Sequence, residues 1–171
     1  MATITHTVYE TQLDTHIDLR QIASRSRDVV YTRHRFNVLR WKDRRVGGTC
    51  MIYANGKIIH HGTKQQLRQY LRLLQKLGIH IEMKPIKLVT QSGVAYLPNV
   101  NYKLLVKNLG ACYEPELFHA VQLRRHGMHF TIFRSGKVCV MGVKSLDAVD
   151  AALIEIAWLQ WVKVAPSWYP L

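Results

Sequence analysis

Residues 53–64 of this chain, Tyr-Ala-Asn-Gly-Lys-Ile-Ile-His-His-Gly-Thr-Lys, return at 133–144 as Phe-Arg-Ser-Gly-Lys-Val-Cys-Val-Met-Gly-Val-Lys. The offset is 80 residues, and the aromatic, both glycines and both lysines stand in one register. A sequence that repeats at this spacing folds as two copies of one supersecondary unit, which rules out most single-core architectures before any other residue is read.

Each copy has the same local order. The runs Gly48–Tyr53 and Phe130–Phe133 are rich in β-branched and aromatic residues, and each ends in a turn, Asn55-Gly56 or Ser135-Gly136. A second short apolar run follows to Gly62 or Gly142, which completes a predicted hairpin. The apolar period then becomes helical, through Leu67, Tyr70, Leu71 and Leu74 in one copy and Leu146, Val149, Leu153 and Ile156 in the other. Gly78 is placed to stop the first of these helices. Residues 18–24 predict a short helix upstream, with a counterpart at Tyr102–Lys107.

Each half therefore reads as strand, short helix, several antiparallel strands and a long helix. Neither half covers its sheet alone, so the expected fold is α+β: a saddle of two pseudo-twofold repeats whose helices sit on the convex face of one continuous curved antiparallel sheet. The expected boundaries are 1–83 for the first repeat, 84–160 for the second and 161–171 for a tail, all in one compact unit. The other face of the sheet is left open, and an open, partly apolar face on a basic protein is a candidate binding surface.

Charge narrows the partner. Twenty-four Lys and Arg against eleven Asp and Glu give a formal +13, a field that attracts polyanions such as nucleic acid. Cys50, Cys112 and Cys139 form neither a disulfide framework nor a C-x-x-C pair, which fits a reducing intracellular compartment. Residues 1–10 lack a basic stretch followed by an apolar one, and no run of about 18 apolar residues occurs, so neither secretion nor a membrane partner is expected. His60 and His61 point to opposite faces of a strand, and His126 and His129 have no neighbouring Cys or carboxylate pair, so no metal or other cofactor is expected. Without a Walker loop, a G-x-S-x-G elbow or paired carboxylates, the sequence predicts no enzyme, no catalytic residue and no small-molecule substrate.

Four features converge on one family. They are Tyr113-Glu114-Pro115-Glu116-Leu117-Phe118, the two hairpins with their downstream G-x-K, Asp18-Leu19 with Ile22-Ala23, and Gln75-Lys76-Leu77-Gly78. Over roughly residues 5–160 the chain resembles the TATA-binding protein family. That family is itself the standard example of a protein that wedges side chains into the minor groove and kinks the duplex, so this mechanism comes with the resemblance. The resemblance implies a transcription initiation factor at promoters, resident in the nucleus, that binds double-stranded DNA through the minor groove and recruits TFIIB-type and TFIIA-type factors.

Carried over by motif, the intercalating aromatics are Phe36 with Tyr53, and Phe118 with Phe133. Tyr53 departs from phenylalanine, and its hydroxyl must stay wet or find a partner. Arg35, Lys57 and Lys137 fall at phosphate-contacting positions, which give affinity without sequence reading. Glu114, Glu116 and Leu117 match the contact to the TFIIB-type factor, where exposed acids suit a basic partner surface.

The base-reading centre departs from the family. Where the family has asparagine in the first strand of each repeat, this chain has His6 and, in the second repeat, Leu88 or Lys87. Where it has threonine eight residues after each hairpin aromatic, this chain has His61 and Met141. Val8, Met51, Ile59, Thr131 and Cys139 leave the face largely apolar. Standard A·T reading is therefore replaced by a non-standard preference, or by the role of a divergent paralogue that is held at promoters as a protein scaffold. The resemblance implies that Tyr113–Phe118 belongs to the second-repeat stirrup; the segment Phe118–Phe133 is about two residues shorter than in the family, and its loop, read at residues 124–129, predicts that this stirrup is remodelled. The helix from Lys64 to Leu77 is shorter by close to two turns, which predicts changed partners on it. The tail, with Trp161, Trp168 and Tyr169 around Pro166 and Pro170, reads either as packing against the fold or as a partner-binding peptide.

Overall fold

A computed structural model describes residues 1–32, 37–82 and 84–162. Arg35 and Phe36, and the tail beyond residue 162, lie outside the described residues. In chain order the elements are β1 (Thr3–Gln12), α1 (Leu19–Arg25), β2 (Val29–Thr32), β3 (Val38–Trp41), β4 (Thr49–Tyr53), β5 (Lys57–His61) and α2 (Lys64–Lys76). These are followed by β6 (Lys87–Tyr96), α3 (Tyr102–Leu109), β7 (Val121–Arg125), β8 (Met128–Ile132), β9 (Lys137–Met141) and α4 (Leu146–Leu159). The fold class is the expected one, an open antiparallel sheet of nine strands with four helices.

Two units are distinguished, His6–Thr90 and Met1–Thr5 with Gln91–Leu171. In the first the strand order is β2-β3-β4-β5-β1, and in the second β6-β9-β8-β7. The hairpins that revealed the repeat occupy matching settings: the Leu13 N–H donates to the Gly56 carbonyl at 2.9 Å, and the Leu97 N–H to the Gly136 carbonyl at 2.8 Å. Each hairpin turn is thus pinned beneath the end of its unit's first strand.

In the first unit, strand alternation sends Leu39, Cys50, Ile52, Ile58 and His60 inward, and the helical period of α2 sends Leu67, Tyr70, Leu71 and Leu74 to meet them. In the second, Val121, Leu123, Phe130, Ile132, Val138 and Val140 meet Val149, Ala152, Leu153 and Ile156 of α4. Each fully buried aliphatic side chain in these layers contributes on the order of 1.5–3 kcal/mol. Capping starts the helices where the sequence places polar residues. Thr63 accepts from the Gln66 N–H while the Gln66 side chain accepts from the Thr63 N–H, and Ser145 accepts from the Ala148 N–H.

Two buried polar groups in the first unit differ in how they are satisfied. The Tyr70 hydroxyl accepts from the Asp43 N–H at 3.0 Å while its ring meets Trp41 edge-on at 5.5 Å, and burial pushes its pKa up to about 12. Tyr70→Phe is expected to cost about 1–3 kcal/mol, because the ring packing survives but the Asp43 N–H is orphaned; urea denaturation measures it. His60 is fully buried, and burial holds its pKa below the ordinary imidazole value. Gln66 and the Thr49 backbone lie close enough to oppose that shift, yet neither forms a well-aligned hydrogen bond with the ring.

Two expectations are corrected. The strand expected at Phe130–Phe133 runs over Met128–Ile132, because His126 and Gly127, at φ of 50° and 75°, turn the chain tightly and start β8 earlier. For the same reason residues 124–129 are not a stirrup: they form the β7–β8 hairpin, with Arg124 opposite His129 and Arg125 opposite Met128. The segment Tyr113–Phe118, which the resemblance places in the stirrup, forms a turn in which the Glu114 carbonyl accepts from the N–H groups of Leu117 and Phe118.

Candidate nucleic-acid interface

In each unit, none of the described helices covers the sheet face away from them. Across the first unit it is built from cross-strand rows. Thr49, His61 and Val8 form one row, and Val30, Arg40, Met51, Ile59 and Glu10 form the next. Val38 stands opposite Tyr53, and Lys57 opposite Gln12. In the second unit the rows are Arg124, His129, Met141 and Ser92, then Gln122, Thr131, Cys139 and Val94. Strand alternation therefore puts Val8, Met51, Ile59 and His61 on one unit's open face, and Thr131, Cys139 and Met141 on the other's. Met141 is 57% exposed, whereas Val8 retains only 8% and offers little surface to a ligand.

The register also corrects the counterpart of His6. Val8 pairs with His61 and Ser92 pairs with Met141, so the strand positions differ by 84 residues while the hairpins differ by 80. Two residues before Ser92 is Thr90, not Leu88 or Lys87, so the second-repeat counterpart of His6 is a small polar residue rather than an apolar or charged one. The shift arises because the link from first strand to hairpin is four residues shorter in the second repeat.

His6 and His61 touch. His6 Nε2 and His61 Nδ1 are 2.9 Å apart and the ring centroids 5.1 Å apart, over a hollow lined by Arg40, Lys42, Thr49 and Met51. Burial, with further contributions from His6 and Arg40, lowers the His61 pKa below the ordinary imidazole value. At neutral pH His61 is uncharged.

At the edge of the second unit's face, Phe118 is 39% exposed and meets Phe133 edge-on at 6.3 Å. His119 completes the cluster, 5.2 Å from Phe118 and 5.6 Å from Phe133. Tyr102 braces it from below, its hydroxyl donating to the Ile132 carbonyl at 3.0 Å and reaching the His119 carbonyl at 3.3 Å. Arg134 stacks over the Tyr102 ring at 5.2 Å. Tyr53, in the first unit, is half-buried at the end of β4. Leu117 is 80% exposed and Glu114 and Glu116 are exposed beside it, so the loop presents two carboxylates and an apolar tip to solvent.

Of the described phosphate candidates, Lys137 is exposed, while Lys57 Nζ lies 3.3 Å from Glu10. Glu10, His119, His129, Arg40 and Tyr102 were not singled out from sequence as residues of this surface. His119 could have been, as the neighbour of Phe118, and His129 as the residue two before Thr131 on the same face. Glu10 could not, since only the cross-strand register brings it to Lys57. Among the described residues, no group of three or more His, Cys, Asp or Glu is disposed to hold a metal ion.

Comparison with known proteins places this geometry. Residues 1–77 and 97–159 match the family described as transcription factor TFIID, or TATA-binding protein. The chain is 29% identical over 158 residues to a TATA-box-binding protein of Tetrahymena thermophila, covering 86% of this chain and 64% of that protein. It is 31% identical over 158 residues to TATA-box-binding protein 1 of Triticum aestivum, covering 84% and 66%. The chain thus spans about two thirds of the length of these relatives. The solved structure of Methanococcus jannaschii TBP superposes with a TM-score of 0.77 at 24% identity, over 93% of this chain and 97% of that one, and so shares its fold. Two matched segments covering most of the sequence, on a common fold, establish that this chain belongs to the TATA-binding protein family of transcription factors.

Proposed function

We propose that the chain is a TBP-like transcription initiation factor of the nucleus that binds promoter DNA through the minor groove, with a sequence preference unlike the standard A·T element. The observation that carries this reading is the pairing of exposed Phe118 with half-buried Phe133 at the edge of a sheet face that no described helix of its unit covers, on a chain of formal charge +13. Aromatic rings so placed can enter a base step, and the charge supplies phosphate affinity. Phe36 and Tyr53 are assigned the same wedge role in the first repeat, and Arg35, Lys57 and Lys137 are assigned phosphate contacts. Glu114, Glu116 and Leu117 are assigned to a TFIIB-type partner, with a TFIIA-type factor as a further partner of the promoter complex.

His61 and Met141 favour a second reading, a promoter scaffold without autonomous TATA recognition, because neither reproduces a small hydroxyl at the face. One gel-shift series at fixed salt separates the two. An A·T-rich duplex, a set of shuffled duplexes and a salt titration are expected to give sequence-dependent binding whose logarithm falls linearly with the logarithm of salt. Equally weak binding to every duplex would leave only the scaffold.

A further inference from the structure

We propose that His6 and His61 act as one proton-sharing unit that presents a single acceptor and a single donor to the minor groove, and so selects a G·C pair at the base step it faces. The proposal rests on the minor-groove reading above and names the preference of that same surface.

The argument is a count of protons. A neutral imidazole has one N–H and one bare nitrogen. The 2.9 Å contact between His6 Nε2 and His61 Nδ1 is one N–H···N hydrogen bond, so one ring spends its N–H inward and the other its lone pair. If His6 donates, its Nδ1 is left bare and His61 Nε2 carries the remaining hydrogen. If His61 donates, its Nε2 is bare and His6 Nδ1 carries the hydrogen. Either tautomer leaves one acceptor and one donor outside the pair.

That pattern is not what an A·T-only site needs. In the minor groove A·T and T·A offer only acceptors, adenine N3 and thymine O2, and a bare nitrogen facing them is repelled. G·C adds the guanine N2 amino group, a donor that a bare imidazole nitrogen can take, while the pair's N–H serves a neighbouring acceptor. Burial and the nearby Arg40 disfavour a positive charge on His61. Arg40 and Lys42 line the same hollow, and the nearest acid along β1 on this face, Glu10, is engaged with Lys57. Adding a proton turns the bare nitrogen into a second donor, which suits A·T instead. Met141, the counterpart of His61, brings only a thioether, so the preference is confined to the bases that face this pair.

The test is an inosine scan. Inosine pairs with cytosine but lacks the N2 amino group, so it changes the groove by the donor in question and nothing else. With the full chain at pH 8, duplexes selected for binding are resynthesised with each G·C replaced singly by I·C. One position is expected to lose about three- to ten-fold in affinity, the size of one hydrogen bond. His6→Phe, at an exposed position, and His61→Phe, at a half-buried one, keep ring shape; each should abolish that difference, and lowering the pH to about 5.5 should shrink it. If DNA is bound but no position responds to inosine, or the response survives both substitutions, the proposal is wrong and the minor-groove function stands. If no duplex is bound at all, the minor-groove function fails and the proposal with it.

Discussion

Alanine at Gly56 or Gly136 is expected to cost about 3–5 kcal/mol each, enough to remove a large part of the stability of a chain this size. Both residues sit at positive φ, 82° and 87°, where an L side chain is strained by about 1–2 kcal/mol. The larger cost is space. A Cβ on Gly56 would lie 2.2 Å from the Leu13 carbonyl oxygen and 2.7 Å from that of Thr15, and a Cβ on Gly136 would lie 2.5 Å from the Tyr96 ring and 2.7 Å from the Leu97 carbonyl oxygen. Tyr96 can swing aside. The backbone oxygens cannot move freely, because the carbonyl of each glycine is itself the acceptor that pins Leu13 or Leu97. Gly78 provides the control, with φ of 86° and nothing within 4 Å of a Cβ; Gly78→Ala should cost only about 1 kcal/mol of strain. Thermal melts followed by circular dichroism measure all three. For a chain of this length the hairpin variants should melt roughly 10 °C or more below the parent and Gly78→Ala only a few degrees below it. Hairpin variants that melt with Gly78→Ala would show that the turns are not clamped as described.

These glycines also explain why so much of the fold was legible. A turn that tolerates only glycine, followed by a strand whose alternate residues must be apolar, leaves a pattern that survives in both copies, and Tyr53–Lys64 and Phe133–Lys144 preserve it. The helices declared themselves in the same way, through Leu67, Tyr70, Leu71 and Leu74, whereas the caps at Asp18, Thr63 and Ser145 came to light only in the structure. Side-chain period tells which face a residue occupies, but it does not tell which residue stands opposite. That depends on register, and register depends on turn lengths that differ between the copies. Hence Thr90 was missed by two residues, the β7–β8 turn was read as a stirrup, and the pairs His6–His61 and Lys57–Glu10 left no trace in the sequence. Phe118 and Phe133, matched by motif alone, stand 6.3 Å apart in one cluster.

Removing that cluster should separate bending from binding. Phe118→Ala with Phe133→Ala deletes both rings but leaves Tyr102, whose hydroxyl holds the carbonyls of Ile132 and His119, so the edge of the sheet keeps its backbone position. Opening a base step costs a few kcal/mol, and the wedge recovers this only while its rings fill the gap. Without rings neither term remains. On the proposed wedge role, the parent is expected to bend the duplex and the double variant to bind it while leaving it nearly straight, with affinity reduced about ten-fold or more as the contacts made by the bent form are lost. Fluorescence energy transfer between dyes on the two duplex ends reads the bend, and a titration of the same sample reads the affinity. Tyr102→Phe supplies the graded case, since it keeps both wedge rings but frees the two carbonyls, and an intermediate bend is expected from rings that are present but less firmly aimed. A duplex that stays as sharply bent with the double alanine variant as with the parent would mean that these two rings are not the wedge.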